Sequence, residues 1–100
     1  MKNINAHQIC TKIVTEKYNA WNVATETTTS SEREQTIRLA TEILMQMNSL
    51  SWGGGLVQSV IDNDLEKFVG VCEKSMLRYL PFFVQIKNNA KHLWYNSTNK

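Results

Sequence analysis

Apolar and polar positions along this chain repeat with a helical period almost throughout, most clearly over Asp62–Leu80. At about 100° per residue, Leu65, Phe68, Val69, Cys72, Met76, Tyr79 and Leu80 fall within roughly one third of the circumference. Lys67, Lys74 and Arg78 gather on the opposite side. The pattern predicts one long amphipathic helix, with an apolar stripe for a core and a basic ridge behind it. It is bounded by Gly53, Gly54 and Gly55 before and by Pro81 after, and the other elements are expected to pack around it.

A first helix is predicted over Asn5–Ala24, with Ala6, Ile9, Cys10, Ile13, Val14, Ala20, Trp21 and Ala24 on one side. Lys17 projects from the middle of that side. Either its aliphatic stem lies along the core with the ammonium in water, or it is a cation held for a partner's carboxylate or phosphate. Residues 25–31 read as a linker, because three successive threonines are costly in a helix. Ser31 and Glu34 fit a capping box for a second helix over Glu32–Asn48. Its buried face is Ile37, Leu39, Ala40, Ile43, Leu44 and Met47, extending to Leu50, with Met45 outside it.

After the glycine turn, a short helix over Leu56–Ile61 is expected, with Asp62 or Asn63 capping the long one. Pro81 disfavours α geometry at Leu80 and removes a backbone donor, so a kink or break is expected there. Helical periodicity resumes over Phe82–Tyr95, with Phe82, Phe83, Ile86, Ala90, Leu93 and Trp94 on one face. These elements make an all-α, four- to five-helix compact bundle over residues 1–95, with a polar C-terminal tail at 96–100.

Composition adds little to this picture, and charge somewhat more. One hundred residues suit one domain, and the hydrophobic fraction of 42% excludes a chain disordered by composition. The net charge of +2 is too small to imply nucleic acid, but its distribution is uneven. From Glu66 onward there are six basic residues against two acidic, so the C-terminal third is a basic patch. The opening MKNINAHQIC lacks the apolar stretch of a secretory signal, and no run approaches the length of a membrane span. With only two cysteines, a reducing, cytoplasmic setting is the expectation, in which the Asn96-Ser97-Thr98 sequon has no role.

Candidate chemistry is thin. His7, Cys10, Cys72 and His92 could in number satisfy zinc, but their spacing fits no finger or knuckle, and both cysteines lie in apolar stripes. His7 beside Cys10 is the lone local pairing for nucleophilic catalysis. Asp62, Asp64 and Glu66 sit where helix capping favours carboxylates. The glycines lack the Lys-Ser/Thr of a P-loop and the spacing of a dinucleotide fingerprint. No catalytic residue, metal site or cofactor is therefore assigned.

What remains is a surface. Three tryptophans are hard to bury completely in a small core, and tryptophan and arginine dominate binding hot spots. Trp52, beside the glycine turn, is the one expected to show an edge. The first expectation is a non-enzymatic protein that binds one macromolecular protein partner with an acidic surface. Its contacts would come from Trp52, Gly53, Gly54, Lys67, Lys74 and Arg78, with Lys17, Lys87 and Lys91 as secondary candidates. Small chains of this kind are often stoichiometric inhibitors or neutralisers, such as phage inhibitors of a host machine or immunity proteins, an association of size and composition alone. One alternative is a DNA- or RNA-binding regulator using the basic ridge. Another is a module binding a small anion or nucleotide at Gly53–Gly55. No membrane partner is expected, and self-association stays open.

Overall fold

Seven helical segments follow one another in the computed structural model, which describes residues 2–21, 30–72 and 74–98. They are α1 (Lys2–Ala20), α2 (Ser30–Met47), α3 (Gly55–Ile61), α4 (Leu65–Val71), the single turn α5 (Lys74–Leu77), α6 (Leu80–Asn88) and α7 (Ala90–Thr98). No strand occurs among the described residues. The radius of gyration is 13.0 Å, as expected for a chain of this length packed around one core.

The organising element is α2, not the stretch after the glycines. It packs against α1, α3, α5, α6 and α7. Neighbours on several sides explain its burial, which takes in Thr36, Leu39, Ala40, Thr41, Ile43, Leu44 and Met45. At 100° per residue these positions cover roughly two thirds of the circumference. Met45 is therefore core, contrary to the amphipathic reading, and two threonines are buried with it. Each hydroxyl finds an acceptor: Thr41 donates to the Ile37 carbonyl at 2.7 Å, and Thr36 donates to Met76 Sδ at 3.8 Å. α2 starts at Ser30, so Ser31 lies inside it and not at its cap. Residues 25–29 of the expected linker lie outside the described residues, as do residues 22–24 of the expected first helix.

The end of α2 does not use the glycines. Leu50 N–H donates to the Met45 carbonyl at 2.8 Å and Ser49 N–H to the Gln46 carbonyl at 3.0 Å. Ser49 sits at φ 61°, which completes a Schellman ending with serine in the left-handed position usually taken by glycine.

The long helix predicted over Asp62–Leu80 is broken twice. Asp64, not Asp62 or Asn63, caps α4, its carboxylate accepting from Lys67 N–H at 3.1 Å. Asn63 at φ 61° turns the chain between α3 and α4, a conformation that asparagine tolerates. Cys72 is then extended (φ −90°, ψ 141°), which ends α4 and redirects the chain. As a result α4 lies chiefly against α3, whereas α5 lies against α2. Only Phe68 of α4 is buried; Leu65 and Val69, expected in the core stripe, are exposed. Met76 and Tyr79 enter the core beyond the break. The second break falls at Arg78–Tyr79. Pro81 occupies the first turn of α6, where its missing N–H and fixed φ suit a helix start.

α6 buries Phe82, Phe83 and Ile86, and α7 buries Ala90 against α2. α7 continues helical through Thr98, where a polar tail was expected from residue 96. An aromatic cluster ties the end of α1 to α6. The ring centroids of Tyr18 and Phe82 are 5.7 Å apart, edge to face, and those of Trp21 and Phe82 are 5.3 Å apart.

Candidate functional site

The turn between α2 and α3, residues 51–54, is held by side-chain amides in series. Gly53 N–H donates to Gln46 Oε1 at 2.7 Å. Gln46 Nε2 donates to Gln58 Oε1, and Gln58 Nε2 donates to Asp62 Oδ1 at 2.9 Å. One chain of hydrogen bonds thus joins the last turn of α2, the glycine turn and the far end of α3.

Two glycines are required by geometry. A Cβ on Gly53 would lie 2.8 Å from Val57 Cγ2, and Val57 is fully buried and has little room to move. Gly54, the N-cap of α3, has φ 97° and ψ −175°, a conformation nearly restricted to glycine. The turn is therefore specific for glycine and tied down by a hydrogen bond, where glycine is usually read as flexible. Its Gly53 amide already serves Gln46, which leaves one donor fewer for a bound anion.

Trp52 stands on this turn with 71% of its surface exposed, the highest value among the large hydrophobic side chains described as exposed. Trp21 and Trp94, by contrast, are partly buried against the core. Lys67 comes back toward the turn, its Nζ and Cε both 3.9 Å from where a Cβ on Gly55 would stand. One helical turn further along α4, Val71 is 58% exposed and lines a cleft of about 240 Å³ with Leu56, Gln35 and Arg38. Lys67 thus comes near Gly55, the residue that follows the expected Trp52, Gly53 and Gly54. Val71, a residue that the helical stripe left out, lines this cleft at the start of α3 through Leu56. Its signal was local: it precedes the extended Cys72, but nothing in the residue types marks that break.

The other expected site residues are dispersed. Because the helix breaks at Cys72, Lys67, Lys74 and Arg78 do not form one ridge; they lie on α4, on α5 and in the turn after it. Arg78 NH2 is 2.6 Å from Glu32 Oε1 and 3.1 Å from the Tyr79 hydroxyl. Hydrogen bonding to Tyr79 and then to Glu32 raises the arginine pKa further above its usual value. Its guanidinium also lies over the Tyr79 ring, 5.1 Å from the centroid. Arg78 thus clamps the start of α2 to the α5–α6 turn. Lys87 donates to Asn63 Oδ1 at 2.7 Å and steadies the α3–α4 turn. Lys74 and Lys91 are exposed on α5 and α7. Lys17 is exposed on the last turn of α1, where it lines a groove against α6 and α7.

Cys10 is fully buried, and burial pushes its thiol pKa up to about 11. That makes it a packing residue and a poor nucleophile. Cys72 is half-buried, His7 is exposed on α1, and His92 shares a hydrogen bond of 2.9 Å with Asn96. Asp62 accepts from Gln58 and Asp64 caps α4, so two of the three clustered carboxylates hold turns.

Compared with known proteins, the chain matches no family model, no curated protein and no solved structure.

Proposed function

We propose that this chain is a non-enzymatic binding protein that docks one protein partner at the α2–α3 turn, with Trp52 as the anchor. The observation that carries this reading is an indole exposed by 71% on a backbone pinned by Gln46 and restricted by two obligatory glycines. A flexible loop would lose entropy on docking, whereas a pre-ordered one spends little of its contact energy on ordering. Large aromatic side chains in such positions supply most of the energy of protein interfaces.

Lys67 and Val71 define what the partner would present: an apolar pocket for the indole, an apolar edge for Val71, and a carboxylate opposite the ammonium. A stoichiometric inhibitor or neutraliser acts in this way, by occupation and without chemistry. Dispersal of the basic side chains over α4, α5, α6 and α7 disfavours the nucleic-acid reading, because a phosphate backbone is bound by several cations together.

The test is capture from a lysate of the native host, with and without nuclease and at raised salt. One protein retained at stoichiometric yield under all conditions supports the proposal. Retention that collapses with nuclease and salt assigns the basic residues to nucleic acid instead.

A further inference from the structure

On another part of the molecule, sharing no residue with the Trp52 turn, lies a groove of about 310 Å³ between the end of α1 and the α6–α7 corner. That is the lower end of the range for small-molecule sites. Its apolar surface comes from Trp21 and Leu93 over the buried Phe82, and its polar rim from Lys17, Gln85 and His92. The Trp21 and Phe82 rings, 5.3 Å apart and inclined by 32°, leave a half-buried indole along the groove.

Charge selects the ligand. The described residues lining the groove include a lysine and a histidine but no carboxylate, and among the described residues Lys17 makes no ion pair. Lys17 also lies in the last turn of α1, where a cation suits the helix dipole. The helix end carries only about half an elementary charge, so a full ammonium leaves the local field positive. An aromatic wall beside one cation, with amides at the rim, suits a flat ring bearing an anionic group.

We infer that this groove binds a small aromatic carboxylate, its ring against Trp21 and its carboxylate at Lys17. The reading is independent of the docking role of Trp52.

The probes are benzoate and 1-naphthoate, with benzamide and 1-naphthamide as uncharged counterparts. Each is titrated into the full chain while backbone and indole NMR signals are followed. The expected result is saturable shifts at Lys17, Trp21, Gln85 and Leu93 for the carboxylates, with the naphthalene ring binding more tightly. Lys17→Gln should weaken the carboxylates about twofold to fivefold, the worth of one solvent-exposed ion pair, and leave the amides unchanged. Gln85→Trp, at an exposed lining position, should fill the groove and block both probes without touching the core. Absence of saturable shifts at millimolar probe, shifts centred elsewhere, or equal affinity for carboxylate and amide would each overturn the assignment.

Discussion

Gln46 Oε1 accepts from Gly53 N–H at 2.7 Å, and this contact ties the last turn of α2 to the backbone that carries Trp52. The same side chain donates to Gln58, so one residue orders both sides of the turn. Gln46→Leu removes both hydrogen bonds while keeping the bulk. The expected loss is about 1–2 kcal/mol of stability, measured by urea denaturation. Faster amide exchange at Gly53 and Gly54 than in the wild type should accompany it. Partner affinity should fall too, through the loosened turn that carries Trp52.

The glycines should respond to alanine with different signs. Gly53→Ala drives a Cβ to within 2.8 Å of Val57 Cγ2 in the core and should cost about 1–3 kcal/mol. Gly54→Ala meets no neighbour within 4 Å but must hold φ 97°, at a cost of about 1–3 kcal/mol. Gly70, in α4 with nothing within 4 Å, is the reverse case: alanine there should stabilise by about 0.5–1 kcal/mol. Thermal melts of the three variants separate steric, conformational and propensity effects.

Ser49 carries strain that glycine would relieve. It holds φ 61° to close the Schellman ending of α2, and an L side chain in that region costs about 1–2 kcal/mol. Ser49→Gly should therefore raise stability by about 0.5–1 kcal/mol, after allowing for the extra freedom glycine gives the unfolded chain. Equilibrium denaturation checks this.

Cys10 makes stability depend on alkaline pH. Its thiol pKa is about 11 in the fold against 9.0 as a free thiol, raised by burial. Between those values the unfolded chain loses the proton and the folded chain keeps it. Unfolding is therefore favoured as pH rises, by up to about 2–3 kcal/mol at the top of the window. Well below pH 9.0 the slope fades, because both states then keep the proton. Cys10→Ala should flatten this part of the stability profile relative to wild type, even though its lower packing reduces stability throughout. In the native state Cys72, half-buried, should react with a thiol reagent well before Cys10 does.

Helical periodicity located the helical stretches, because buried apolar residues must recur on the face that meets the core, but it ran α4 into α5 and α6 into α7. It could not locate the break at Cys72. Phe68, Met76 and Tyr79 remain in register across it, so the stripe reads as continuous although α4 and α5 meet different neighbours. That same continuity placed Leu65 and Val69 in a core they do not reach, and drew Lys67, Lys74 and Arg78 into one ridge. α2 failed in the opposite sense. Thr36, Thr41 and Met45 are buried because helices surround it, and an amphipathic template assumes one solvent face. The Trp52 turn was the legible part of the site: three glycines after a tryptophan marked a special backbone and an exposed ring. The anchoring by Gln46 and Gln58 was not legible, since two glutamines twelve residues apart carry no local signal.

The most direct test of the account is a paired measurement on Trp52→Ala, its melting curve and its capture of the partner retained by wild type. Trp52 is 71% exposed, so the variant should melt within about 0.5 kcal/mol of wild type while losing the captured protein. A variant that unfolds would make Trp52 a structural residue, and one that retains the partner at wild-type yield would remove the α2–α3 turn from the interface. Either result contradicts the account.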